Sequence, residues 1–126
     1  MDKIKEVYSS FSVNDLAEAK RFYGEVLGLK VEDGKYGLIL HMVGGGTVFI
    51  YPKENHEPAT FTILNIEVDD LEAALNELNK NSVNLEHYEG MDQDEKGIVR
   101  GKISGHGPDL GWFKDPAGNV IAIRSY

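Results

Sequence analysis

Residues 13–19 read VNDLAEA, and residues 68–74 read VDDLEAA, an offset of 55 residues. In both places an alternating stretch runs into a helical one. Before the first corner lies KEVYSSFSV (5–13), with Val7, Phe11 and Val13 on one face and Tyr8, Ser10 and Ser12 on the other. Before the second lies FTILNIEV (61–68), which sorts Thr62, Leu64, Ile66 and Val68 from Phe61, Ile63, Asn65 and Glu67. Each reads as a strand with one face on a core. A strand-to-helix corner that occurs twice predicts a duplicated module with a cleft between the copies.

The helices follow from the spacing. Asp15 with Glu18 three residues on is a capping pattern, and Leu16, Ala19, Phe22, Tyr23, Val26 and Leu27 recur at helical intervals until Gly28. In the second copy Asp69 with Glu72 repeats the capping signal, and Leu71, Ala74, Leu75 and Leu78 form the apolar stripe. Strands are predicted near 29–33, 36–42 and 47–52, then near 84–88, 98–104, 110–114 and 119–124. Gly44–Gly46 make a hairpin turn, since they join two strands and no lysine accompanies them as a phosphate loop requires. Residues 53–60 are a polar connector, 89–97 an acidic loop expected to be mobile, and DPAGN (115–119) a turn.

The predicted fold is therefore α+β: two βαβββ modules, 5–52 and 61–126, in one domain spanning 1–126. Each helix covers one face of its sheet, and the two uncovered faces curl into a cup. Tyr8, Ser10, Ser12, Ile50, Phe61, Ile63, Asn65, Glu67 and Ala122 are assigned to those uncovered faces. Trp112 and Phe113 point to opposite faces, so Trp112 is a candidate platform for a flat ligand. His41 can face the cup from its strand. Tyr51 has the parity opposite to Ile50 and reads as core or interface, and Arg124 shares the parity of Ala122 and is placed to pair with Glu67.

Composition narrows the function. A chain of 126 residues with 41% hydrophobic and 27% charged residues suits one soluble domain. The net charge of -8 leaves no basic stripe for nucleic acid, and is compatible with a cationic ligand. Without cysteine there is no disulfide, zinc thiolate site or thiol nucleophile. The N-terminus lacks an apolar signal region, and no membrane-length apolar run occurs, so a cytoplasmic location is expected. The four histidines, His41, His56, His87 and His106, show no ligand spacing; His56 and His106 read as solvated.

VNDLAEAKRFYGEVLGL (13–29) and FKDPAGNVIAI (113–123) resemble signatures of the vicinal oxygen chelate superfamily, which includes glyoxalase I, extradiol dioxygenases, fosfomycin-resistance enzymes and bleomycin-resistance proteins. The resemblance implies paired modules forming a cup, and a homodimer. Its metal-dependent members hold a divalent ion with a His on the first strand, a Glu on the fourth, a His on the fifth and a Glu on the last. Carried over, those positions are Tyr8, Ile50, Ile63 and Ala122. A phenol with a pKa near ~10 is a poor anchor for such an ion, and the other three cannot coordinate. The resemblance thus points to a metal-free, cofactor-free protein that binds an amphipathic small molecule, similar to the bleomycin-resistance proteins that sequester cationic drugs. Tyr8, Ser10, Ser12, His41, Ile50, Phe61, Ile63, Asn65, Glu67, Trp112 and Ala122 are then the candidate binding residues. The alternative is a divergent glyoxalase-like lyase, isomerase or dioxygenase with a nonstandard metal or an acid–base site at His41 or Glu67.

Overall fold

The computed structural model describes all 126 residues, which divide into two compact units, Met1–Pro58 and Ala59–Tyr126. The first opens with β1 (Ser9–Val13) and turns into α1 (Leu16–Arg21), where the Asp15 carboxylate accepts the Glu18 N–H at 3.1 Å. The helix then widens into a π-turn over Phe22–Val26. Gly28 at φ 69° ends it with a left-handed residue that a Cβ would disfavour. β2 (Lys30–Asp33), β3 (Leu38–His41) and β4 (Thr47–Pro52) follow. The sheet order is β1-β4-β3-β2, with β1 and β4 parallel and the other pairs antiparallel.

The core of this unit explains the orientation of the strands. Tyr23, fully buried, meets Phe11 at 5.7 Å and Phe22 at 5.3 Å between ring centres. Val13, Leu38, Leu40, Val48 and Ile50 are buried on the strand face that carries Phe11, because Phe11 and Leu38 are both register partners of Ile50. Burial of each such side chain contributes roughly 1.5–3 kcal/mol. The opposite face therefore carries Ser10, Ser12, Ile39, His41, Thr47, Phe49 and Tyr51.

The second unit repeats the plan. β5 (Thr62–Glu67) leads to α2 (Leu71–Lys80), whose Leu71, Leu75 and Leu78 are buried. β6 (Val99–Arg100), α3 (Gly101–Ser104), β7 (Asp109–Lys114) and β8 (Val120–Ser125) complete it. The order is β5-β8-β7-β6, again with one parallel pair, β5 and β8. Leu64, Phe113, Ile121 and Ile123 are buried on one face. No helix is long and apolar enough to cross a membrane.

Several expectations change here. The second helix is capped by Asp70, not Asp69: its carboxylate accepts the Ala73 N–H at 3.1 Å, the counterpart of Asp15 at the 55-residue offset. Residues 84–88 form no strand. They follow β7 through a Glu86 N–H to Trp112 carbonyl bond of 2.7 Å, and Leu85 packs where a Cβ on Gly111 would stand. The strand predicted over 98–104 ends at Arg100, and α3 begins at Gly101. The acidic loop is tied down: the Gln93 side chain donates to the Glu86 and Gly97 carbonyls and accepts the Tyr88 N–H. Polar composition signalled exposure there, but these side-chain bonds replace the secondary structure it lacks.

The DPAGN turn is built from side chains as expected of turn formers. The Asp115 carboxylate accepts the Ala117 and Asn119 N–H groups and the Asn119 amide, and Asn119, 1% exposed, accepts the Ala59 N–H.

Candidate ligand site

In the first unit, the sheet face not covered by α1 carries an aromatic platform. Phe49 and Tyr51 alternate with buried Val48 and Ile50 and stack at 6.1 Å between ring centres, 15° from parallel. Gly37 makes room for Phe49, since a Cβ there would lie 2.9 Å from its ring. Beside the platform is a groove of about 450 Å³ lined by Glu6, Tyr8, Glu32, Tyr36, His41 and Phe49, with Ile39 and Thr47 in its floor. Its volume is in the range of small-molecule sites, which combine apolar walls with a few polar groups.

Two hydrogen-bonded pairs hold polar atoms on this face. His41 Nε2 lies 2.9 Å from Glu32 Oε1, and Ser12 Oγ lies 2.6 Å from His56 Nδ1. The second pair bends the connector back onto β1, so His56 is not a free surface histidine. Ser10 is exposed next to Phe49 in register. Tyr8, 55% exposed, precedes β1 at the rim of the groove.

In the second unit, Asn65, Ala122 and Trp112 share one rung across β5, β8 and β7, and Glu67, Arg124 and Leu110 share the next. Trp112 is half-buried, with its ring 5.7 Å from that of Tyr88 in an edge-on contact. Arg124 does not pair with Glu67. Its Nη2 donates back along the strand to Asn65 Oδ1, and its Nε is buried without an acceptor. A donor that has lost water and gained no partner costs about 1–3 kcal/mol. Phe61 lies just before β5 and is 69% exposed. Ile63 falls at a register shift between Thr62 and Leu64, so it is an extra residue without a rung partner.

One binding residue is misplaced by sequence reasoning. Ile50 is 0% exposed and faces the helix side of its sheet, so it belongs to the core. Tyr51, read as core or interface, correspondingly lies on the open face. The structural counterpart of Ala122 on β4 is Phe49: Ser10 pairs with Phe49 as Asn65 pairs with Ala122. The TVFIYP alternation gave two faces but not which one met the helix; only the register with Phe11 decides that. Glu32, Phe49 and His56 were missed for the same reason, since their roles come from neighbours distant in sequence.

The residues at the implied metal positions do not fit a divalent ion. With the corrected register they are Tyr8, Phe49, Ile63 and Ala122, and the Arg124 guanidinium bonds to Asn65, the register partner of Ala122. No group of three or more His, Asp or Glu side chains is gathered in a way that could hold a metal.

The profile of the Glyoxalase/Bleomycin resistance protein/Dioxygenase superfamily matches residues 7–123. The chain belongs to this superfamily. Among solved structures, a superfamily member from Sphaerobacter thermophilus is similar with a TM-score of 0.71 at 19% identity, covering 98% of each chain. The antibiotic binding protein TnmS3 from Streptomyces sp. CB03234 matches with a TM-score of 0.64 at 22% identity, over 99% of this chain and 98% of its own. The fosfomycin resistance protein FosX from Listeria monocytogenes matches with a TM-score of 0.69 at 10% identity, over 98% of this chain and 93% of its own. At these identities the likenesses show the fold. No curated protein matches by sequence.

Proposed function

We propose that this superfamily member binds an amphipathic small molecule with a flat ring, using the open sheet face of its first unit and no metal. The observation that carries this reading is the stacked Phe49–Tyr51 pair beside a groove edged by Tyr8, Tyr36, His41 and Glu32. Exposed aromatic faces in a concavity favour a planar apolar partner, and the flanking hydroxyl, imidazole and carboxylate groups orient its polar end. The likeness to an antibiotic binding protein and a fosfomycin resistance protein supports a place among proteins that handle small bioactive molecules. The donor set at the implied metal positions supports binding that does not depend on a cation.

The test is calorimetric titration with 2-naphthylmethanol, a neutral amphipathic ring. Saturable binding weakened at least tenfold by Phe49→Ala is expected. Heat changes indistinguishable from dilution would contradict the reading.

The His41–Glu32 pair favours a second reading, proton transfer on a bound substrate. A carboxylate hydrogen-bonded to one ring nitrogen fixes the orientation of the imidazole, the arrangement a general base uses. Turnover abolished by His41→Gln with ligand binding retained would establish it; equal turnover in the variant would dismiss it.

A further inference from the structure

The mismatch at the implied metal positions has a direction. Arg124 is two residues beyond Ala122 on β8, yet its Nη2 reaches Asn65, which is Ala122's partner on β5. The guanidinium is therefore folded back toward the Asn65–Ala122–Trp112 rung. Ala122 on that rung is small and buried. A fixed positive charge thus stands beside the position where metal-dependent relatives hold an acidic ligand to a cation.

We propose that Arg124 is an anion-recognition group, and that the ligand of this open face carries a carboxylate or a similar planar oxyanion on an aromatic ring. The inference extends the small-molecule reading above to the open face of the second unit and gives the ligand there a chemical class. Three observations support it. Arg124 spends one Nη2 hydrogen on a neutral amide, which leaves its charge uncompensated, and its Nε has no acceptor. Guanidinium matches carboxylate in a planar, two-bond geometry that a lysine does not offer. Trp112 occupies the same rung as the amide that anchors the guanidinium, so a ring joined to the anion has a stacking surface within reach. Glu67 lies opposite Arg124 in register but forms no ion pair with it, so the guanidinium is not already neutralised. The net charge of -8 does not forbid an anion here, because charges farther away than about 8 Å are largely screened at physiological salt.

The test uses one ring with three head groups: 2-naphthoate, 2-naphthylmethanol and 2-naphthylmethylamine, each titrated while the fluorescence of Trp112, the single tryptophan, is followed. The expected result is saturable quenching with naphthoate at least tenfold tighter than the alcohol, and the amine weakest. Arg124→Gln should erase the preference for naphthoate. Glu67→Gln, which removes the carboxylate across the rung, should tighten naphthoate severalfold. Naphthoate binding no tighter than the alcohol, or a preference that survives Arg124→Gln, would overturn the assignment. Should Arg124→Gln fail to fold, the Glu67→Gln arm decides, and unchanged or weaker naphthoate binding there counts against it. If the alcohol quenches while naphthoate shows no advantage, the Arg124 assignment fails; if none of the three quenches Trp112, the assignment fails too, and the calorimetric titration with Phe49→Ala decides separately whether the groove of the first unit binds.

Discussion

The two units share one topology and differ in what their open faces hold. Rung by rung, Ser10 and Phe49 in the first unit correspond to Asn65 and Ala122 in the second, and Ser12 and Tyr51 correspond to Glu67 and Arg124. One copy has hydroxyls and a stacked aromatic pair. The other has an amide, a carboxylate and an arginine. The helix-facing side diverges less: by register, Phe11, Val48 and Ile50 in the first unit have the apolar counterparts Ile66, Ile121 and Ile123 in the second. Duplication conserves the face that must exclude water and leaves the other free to acquire separate chemistries.

The comparison breaks most readily at the faces themselves. Ile50→Glu places a carboxylate in the core and is expected to remove more than about 4 kcal/mol of stability, enough to unfold a marginal domain. Phe49→Glu, one residue away on the open face, should cost less than about 1 kcal/mol. Urea denaturation of the two variants checks this, and equal losses would contradict the assigned register.

The turns before β4 and β8 differ in kind. Asp115→Ala strips the acceptor from three donors and should cost about 2–3 kcal/mol. In the first unit Gly44, Gly45 and Gly46 all have positive φ, and the turn is closed by main-chain bonds of Met42 with Gly45 and Gly46. Gly45→Ala should therefore cost only about 1 kcal/mol, through backbone strain. Thermal melts of both variants sharpen the contrast.

The second unit should also be the more acid-sensitive. Arg100 bonds to Glu72, Asp94 and Asp109 at 2.7, 3.0 and 3.4 Å. The Arg100 and Lys96 bonds hold Glu72 below the ordinary carboxylate range. Burial works to raise Asp94, but the Ile98 and Lys96 N–H groups and Arg100 together outweigh it and keep it low. Lowered carboxylates stabilise the fold above their unfolded-state values, near ~4, and that contribution disappears as pH falls through the folded values. Stability should fall on acidification, and Arg100→Gln should flatten the dependence. The effect is modest because the groups are partly solvated. Hydrogen exchange across residues 89–100 at neutral and acid pH would locate it.

A local change is expected in Ser12→Ala. It removes the bond to His56, worth about 1 kcal/mol, and loosens the connector without altering the sheet.

Much of this plan was legible in sequence because it rests on local periodicity. The repeated corner gave both helices, and the Asp15 cap was placed correctly, while its counterpart was set one residue early because VDDL offers two aspartates. The DPAGN turn was readable from residue type alone. The face of β4 was not, since Phe49 and Ile50 exchange sides with a one-residue change in parity and no local signal distinguishes them. Nor was the bulge at Ile63, or the helix at Gly101–Ser104, which ends at Gly105 with φ 73° after a short β6. Arg124 was visible as a residue on the correct face, but its partner proved to be Asn65 because the side chain doubles back along its own strand.

The account depends most on the donor set of the open faces, and metal titration by calorimetry at neutral pH tests it most directly. With nickel, zinc and manganese in turn, the predicted result is no stoichiometric binding in the micromolar range. One ion bound per chain, with binding lost in Tyr8→Phe or Glu67→Gln, would contradict it.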